Sequence, residues 1–513
     1  MRILWLHQYF ATPKGWGAVR TYEFARRFVR AGHAVDVVCC AGYDDSLRPA
    51  GRAPLTVDGV RVFVSGTVYR PQMGFARRVV SFLRFMAAAL WFVLRRGRGY
   101  DAVIASSGPL TLAVPALVGR WLWRVPYVFE AIDVWPDSAI AAGVLKNPVL
   151  KWLSFRLEAL AYRYAAAIVT CSTGMTERVE EKLGFRSEEL GVGEEGGGRR
   201  EEGGGRKAVV TISNCCDLEM CAPDEAVRRA VRLKYGVRED QTVVLYSGAM
   251  GRSNAMADVA GAVAATADDE RIVWWFAGDG PERGYCDHGV VAMASVKTGA
   301  GRALDAHGTR EGDSRGEGRT LNAQVGGEGR VRSFGRLAKE EVVALVRAAD
   351  VNVVTFRHEP LFFENSPNKF FDGIAAGVPA LFNRSTWLEP WLKAYDCGIV
   401  CKGERPGEEM AAALRVLAGD PARRRRMGLG ARRLAEEVFD RDKLAAAYLA
   451  VLLRPRSGRN GECKNGRGAG ERVRGACDGE GARRWPGEPP GRPRSGRNGE
   501  CKNGRGAGEG AHE

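Results

Sequence analysis

The feature that most limits the fold is a short apolar run followed by a helical stretch, repeated along the chain. Residues 3–6 are apolar. A loop with Gly15 and Gly17 follows, then helical spacing over 18–30 (Val19, Phe24, Phe28), a stop at Gly32, and a buried run over 34–40. That order predicts a β-α-β start. Strands are also predicted at 102–105, 127–132 and 167–171, with Ser172 as a helix cap. The pattern restarts at 242–248, 271–277, 331–334 and 351–355. Short strands alternating with helices imply a parallel sheet with helices on both faces. The predicted class is α/β, with two tandem units facing across a cleft and ligands at the carboxyl ends of strands.

At 513 residues the chain exceeds one ordinary core. Of its 65 Gly, 16 fall in 454–513, where RPRSGRNGECKNGRGAGE occurs at 454–471 and again at 492–509. Two copies without an apolar stripe bury nothing, so a disordered Gly/Arg-rich tail is predicted. Residues 187–207, where EEGGGR occurs twice, read as a low-complexity linker, and about 283–330 as a second insertion. The predicted domains are 1–186 and 208–433, followed by one helix over 434–453.

The net charge of +15 points to anionic partners such as phosphate, acidic lipid or nucleic acid. Twelve Cys without any CxxC, and only six His, argue against a zinc site and suit free thiols in a reducing cytosol. Residues 3–6 are too short for a secretory core. Residues 79–94 are largely apolar but carry Arg84, and at 16 residues they are too short to span a bilayer. With Arg77, Arg78, Arg95, Arg96 and Arg98 beside them, they fit either a core-facing helix or one lying on an anionic leaflet. The localisation expected is cytoplasmic, peripheral at the inner face of the plasma membrane, with contact through about 75–98.

The stretch 364–379 carries the chemistry. Ser366 and Pro367 fit N-cap and N1 of a helix of about ten residues that stops at Gly377 and Pro379. Lys369 then sits in the first turn, where the helix dipole disfavours a cation unless an anion binds there. Asp372 lies three residues on and is expected beside Lys369. Glu364 precedes the helix and can reach the same place. Arg252 follows a strand in a Gly-rich turn, as Gly278 and Gly280 do after the next strand. At the N-terminus, Gly15-x-Gly17-x-x-Arg20 is not a dinucleotide fingerprint, because Arg replaces the third glycine.

Glu364-x7-Asp372, followed by Ala375-Ala376-Gly377-x-Pro379, resembles the E-x7-E region of family 4 glycosyltransferases. Pro367-Asn368-Lys369, the LHQYF opening over 6–25, and Asp133-Val-Trp-Pro-Asp-Ser138 resemble the subgroup that builds bacterial O-antigen, colanic acid and other surface polysaccharides. The resemblance covers about 1–183, 208–282 and 331–453. It implies the GT-B fold, two Rossmann-like domains facing across a cleft, with the acceptor bound by the first domain and the nucleotide-sugar by the second. It implies hexosyl transfer from a nucleotide-diphosphate donor, a UDP-sugar first, to a polyprenyl-diphosphate-linked saccharide with retention. The nucleotide-sugar is a substrate, and neither metal nor cofactor is implied. Donor contacts would come from Gly15, Gly17, Arg252, Glu364, Asn368, Lys369 and Asp372. Glu364 would hold sugar hydroxyls, Asp372 the ribose, and Arg252 with Lys369 the diphosphate. Asp133 would orient the acceptor hydroxyl or steady the reacting centre, unless it merely caps the next helix. Asp372 is one methylene shorter than the usual Glu, and Trp16 separates glycines that are often adjacent.

Two other readings compete. A nucleotide-sugar epimerase shares the two-lobed layout and would alter its donor without an acceptor. A binding protein could take nucleic acid or acidic polymers through its tail, although Trp485 is the tail's only aromatic residue, so no specific nucleic acid is expected.

Overall fold

The computed structural model describes residues 1–454 other than 16, 48–52, 70–72, 134, 142, 144, 185–207 and 286–329. Trp16, almost all of both insertions, and the tail beyond Arg454 lie outside the described residues.

The first domain is an eight-stranded sheet. Its strands are β1 (Arg2–Leu6), β2 (Ala34–Cys40), β3 (Leu55–Val57), β4 (Val60–Ser65), β5 (Ala102–Ser106), β6 (Tyr127–Ala131), β7 (Ala167–Thr170) and β8 (Ala208–Thr211), in the order β3-β4-β2-β1-β5-β6-β7-β8. All pairs are parallel except β3 with β4, which close on Asp58-Gly59, both at positive φ. That dipeptide, between the β-branched runs Leu55–Val57 and Val60–Ser65, is a hairpin signal. The helices are α1 (Arg20–Arg30), α2 (Phe75–Arg96), α3 (Ala113–Leu122), α4 (Asp137–Ala141), α5 (Pro148–Tyr164) and α6 (Thr173–Lys182). Ser172 caps α6 as expected, its hydroxyl accepting from Met175 N at 3.2 Å.

The second domain has six parallel strands in the order β11-β10-β9-β12-β13-β14. They are β9 (Thr242–Ser247), β10 (Ile272–Ala277), β11 (Val331–Gly335), β12 (Val351–Val354), β13 (Ala380–Phe382) and β14 (Gly398–Val400). Its helices are α7 (Glu225–Lys234), α8 (Met256–Ala265), α9 (Lys339–Ala348), α10 (Asn368–Ala375), α11 (Glu389–Ala394), α12 (Pro406–Gly419) and α13 (Pro421–Glu437). The β9 and β10 runs Thr-Val-Val-Leu-Tyr-Ser and Ile-Val-Trp-Trp-Phe-Ala are buried throughout, because helices cover both faces of the sheet. Strand order reverses between β9 and β12, so the ligand crevice of this sheet lies beyond their carboxyl ends.

Two boundaries differ from the sequence reading. Strand β8 pairs with β7 in the first sheet, from Ala167↔Ala208 to Thr170↔Thr211. The crossover therefore follows Thr211 rather than the first insertion. The helix expected over 434–453 is broken. Helix α13 ends at Glu437, and α14 (Arg441–Leu453) begins after Asp440, whose carboxylate accepts from Asp442 N at 2.7 Å. The break arises because adjacent residues serve different cores. Phe439 stacks edge-on against Phe371 at 5.2 Å in the second domain, while Tyr448 packs on Trp5, Phe24 and Phe28 of the first. Arg441 ties the crossing down, 2.7 Å from Asp217 and 3.2 Å from Glu23.

Arg20, which fills the third-glycine place, is buried. It pairs with Glu130 at 3.0 Å and donates to the carbonyls of Ile212 and Ser213 at 2.7 and 2.5 Å. The arginine of the opening motif thus clamps the crossover chain. A buried ion pair of this kind tolerates loss of neither partner.

Candidate active site

Lys369 is the most unusual group. It is the second residue of α10, the helix that starts at the strand-order reversal. Its Nζ lies 3.6 Å from the centre of the Tyr246 ring, at the end of β9. It also lies beneath Gly248, where an added Cβ would stand 3.6 Å from Nζ. The residue as a whole is half-buried, but Nζ is shut off from solvent and has no hydrogen-bond partner. Burial lowers its pKa to about 7. A cation over an aromatic face recovers about 2 kcal/mol when desolvated, less than an unpaired buried charge loses. An anion at the N-terminus of α10 would supply the missing partner.

Asp372 is not that partner. The expected Lys369–Asp372 pair does not form, because Asp372 turns to Lys339 at the start of α9, 2.5 Å away. Both side chains are largely buried. Asp372 therefore carries a cation from another helix, and the carboxylate expected for a ribose is already engaged. The α10 boundary also differs: the helix starts at Asn368, which is exposed, and Pro367 is the N-cap. Ser366 binds the crossover instead, its hydroxyl accepting from Asn214 N at 3.1 Å.

Glu364 faces the first domain. Arg178 on α6 holds both its carboxylate oxygens, at 2.6 Å from Nη2 and 3.2 Å from Nε. One turn earlier on α6, a Cβ at Gly174 would lie 2.7 Å from Glu364 Cγ, so only glycine admits this approach. Leu361 packs with Cys171, Met175 and Ile132 beneath. Ile132 precedes Asp133, so the loops bearing Asp133 and Glu364 meet at the start of α6. Asp133 is open to solvent, and no described residue bonds its carboxylate. Its backbone is fixed by Ser107, whose hydroxyl accepts from Asp133 N at 3.3 Å and donates to Asp133 O at 3.1 Å. Enough protein surrounds the acid to desolvate it and raise its pKa. A carboxyl with a raised pKa suits proton exchange with an acceptor hydroxyl.

Gly15 and Gly17 serve packing. A Cβ at Gly15 would lie 2.7 Å from both Asp44 Cβ and Tyr43 O, and one at Gly17 2.9 Å from Tyr43 Cβ. The chain's own 43–44 segment passes against both glycines, which is why neither position admits a side chain. Arg252 is exposed in the loop after β9, the loop that covers Lys369. Among the described residues no cluster of three His, Cys, Asp or Glu could hold a metal ion.

Arg178, Gly174, Tyr246 and Lys339 were not legible in the sequence. Their partners lie 186 residues away for Arg178 and 33 for Lys339, and no spacing rule reaches so far. Arg178→Ala is expected to lower turnover by about tenfold, the equivalent of one lost 1.4 kcal/mol interaction, with nucleotide affinity unchanged. Arg178 touches Glu364 and not the anion place, so titration calorimetry alongside rates separates the two effects.

A family model for a glycosyl transferase 4-like domain matches residues 17–192, and one described as glycosyl transferase-like matches 296–450. Among solved structures, sucrose-phosphate synthase from Thermosynechococcus elongatus superposes with a TM-score of 0.61 at 14% identity, covering 88% of this chain and 98% of that one. HepE of Anabaena in complex with UDP and glucose gives 0.57 at 16%, covering 88% and 99%. WaaG, a glycosyltransferase involved in lipopolysaccharide biosynthesis, gives 0.54 at 14%, covering 88% and 100%. No curated protein matches the chain by sequence. The fold is GT-B, two parallel-sheet domains. The chain belongs to the glycosyltransferases, and its N-terminal domain is of the family 4-like kind.

Proposed function

We propose that the protein transfers a hexose from a nucleotide-diphosphate donor, a UDP-sugar first, to a polyprenyl-diphosphate-linked saccharide, with retention and without a metal. The single observation that carries this reading is the buried, unpartnered ammonium of Lys369 at the strand-order reversal. HepE, solved with UDP and glucose, supports the donor class, and WaaG, with its part in lipopolysaccharide biosynthesis, supports a place in surface-polysaccharide synthesis. In this reading Lys369, exposed Arg252 and the amides at Asn368 hold the diphosphate. Glu364 takes sugar hydroxyls once Arg178 yields an oxygen. Asp133 orients the acceptor hydroxyl. The acceptor oxygen bonds the anomeric carbon, the bond from that carbon to the phosphate oxygen breaks, and the hydroxyl proton leaves for the departing phosphate. Charge developing on that phosphate falls on Lys369, an electrostatic contribution of about 3 kcal/mol by analogy with single-donor losses. Asp372 is read as the holder of Lys339 rather than a ribose ligand. The protein would work at the cytoplasmic membrane face.

The test is nucleotide release from a panel of UDP-, GDP- and dTDP-sugars, with and without polyprenyl-diphosphate saccharides. Release from one donor should require acceptor and fall at least about a hundredfold in Glu364→Ala. Conversion of a donor sugar without acceptor would favour the epimerase. Absence of any nucleotide binding by folded protein would remove the donor site.

A further inference from the structure

No described helix is long and apolar enough to cross a membrane. Yet most of the exposed large apolar side chains among the described residues gather on α2, the end of α3, and α5. Helix α5 has 17 residues and buries only Glu158, Ala161 and Tyr162. Val149, Trp152 and Leu153 are 62%, 58% and 49% exposed. A helix on a soluble surface turns a polar face outward; this one turns an apolar one. The patch continues beyond α5. Trp121, at the end of α3, meets Tyr164 of α5 edge-on at 5.6 Å. Trp123, just past α3, donates from Nε1 to Val93 O at 3.2 Å, which joins α3 to α2. Trp91 and Leu94 of α2 are exposed there too.

The charges on this face have one sign. Helices α2 and α3 contain no acidic residue. The one in α5, Glu158, is buried and bound by Lys182 at 2.8 Å. Arg77, Arg84, Arg95, Arg156 and Arg163 are exposed. Arg95 lies over the Trp91 ring at 4.4 Å and Arg156 over Trp152 at 5.5 Å. Tryptophan with a cation reaching past it suits the boundary of a bilayer, where the ring meets acyl chains and the guanidinium meets phosphate.

We propose that α5, with the adjoining ends of α3 and α2, forms the surface by which this protein lies on an anionic lipid bilayer. The sequence pointed to 75–98 alone; the tertiary structure adds α5 and makes it the larger apolar contribution. The proposal deepens the lipid-linked acceptor reading by naming the partner surface, but binding can be measured without turnover.

The experiment is flotation of the full chain with phosphatidylcholine vesicles, with and without phosphatidylglycerol. Wild type is expected to float only with phosphatidylglycerol. Trp152→Ser/Leu153→Ser should lower the bound fraction by at least about tenfold, with unchanged melting because both residues are exposed. Arg95→Glu/Arg156→Glu should abolish the phosphatidylglycerol dependence. The tail is present in every variant, so the differences report the face. Wild-type behaviour of both variants, or wild type that stays unbound, would overturn the proposal. So would a dimer that the serine variant converts to monomer without any vesicle binding, since a second copy would then cover the patch. Transfer to a short, soluble acceptor, retained in the serine variant, keeps the enzyme reading separate from this outcome.

Discussion

Lys369→Met is expected to make the protein more stable and inactive at once. Met keeps the length of the stem and removes an ammonium that has no hydrogen-bond partner. Removing a buried, unsatisfied polar group relieves about 1–3 kcal/mol, and Met also packs well against an aromatic ring such as Tyr246. The same change removes the cation under the donor phosphates, so turnover should fall by about 10²–10³. Thermal melting and nucleotide release, on one preparation, check both halves. Equal loss of stability and activity would show Lys369 to be structural.

The pH dependence follows from the same group. Lys369 has its pKa lowered to about 7 by burial, while a lysine in the unfolded chain titrates near about 10.4. Between these values the unfolded state holds the extra proton. Stability from this group therefore rises with pH across that window and is lowest below it. Lys369→Met should abolish that rise. Donor binding requires the charged form, so above about pH 7 it takes up a proton. Its affinity should fall by up to about tenfold per pH unit, a slope absent from the variant.

Tyr448→Ala is expected to destabilise the first domain by about 3–5 kcal/mol, the range for large aromatic deletions from cores. Tyr448 is fully buried, with ring centres 5.5 to 5.7 Å from Phe24, Trp5 and Phe28. It stands more than 400 residues from those partners in the chain, so the variant also measures how firmly α14 is docked. Hydrogen exchange should rise in β1 and α1 before it rises in β9 and β10. Uniform change across both sheets would mean that the domains unfold as one unit.

The central strands of both sheets were legible as short, mostly apolar runs, as in 34–40 and 242–247, because helices cover both faces; Asp36, the charge within the first run, is buried only with Arg61 and the Tyr100 hydroxyl bound to it. The short edge strands β13 and β14 were not, since three residues carry no period. The place of Lys369 in the first turn of a helix was legible from Pro367 before it and Gly377 after it. Its isolation was not, because the sequence cannot show that Asp372, one turn on, faces Lys339. Likewise Gly15 and Gly17 announced a close approach, but not that Tyr43 and Asp44 would make it.

The sequence alone determined two α/β units, the cation at a helix start, and the motifs that place the chain among glycosyltransferases. These are local matters, set by periodicity, capping and side-chain type within a few residues. Tertiary structure alone decided which groups meet. It gave β8 to the first sheet and sent α14 back across the crossover. It closed Arg178 on Glu364 and left the Lys369 ammonium with only an aromatic ring. Contacts between distant residues depend on how elements dock, and docking is decided by the whole core rather than by any stretch of the chain.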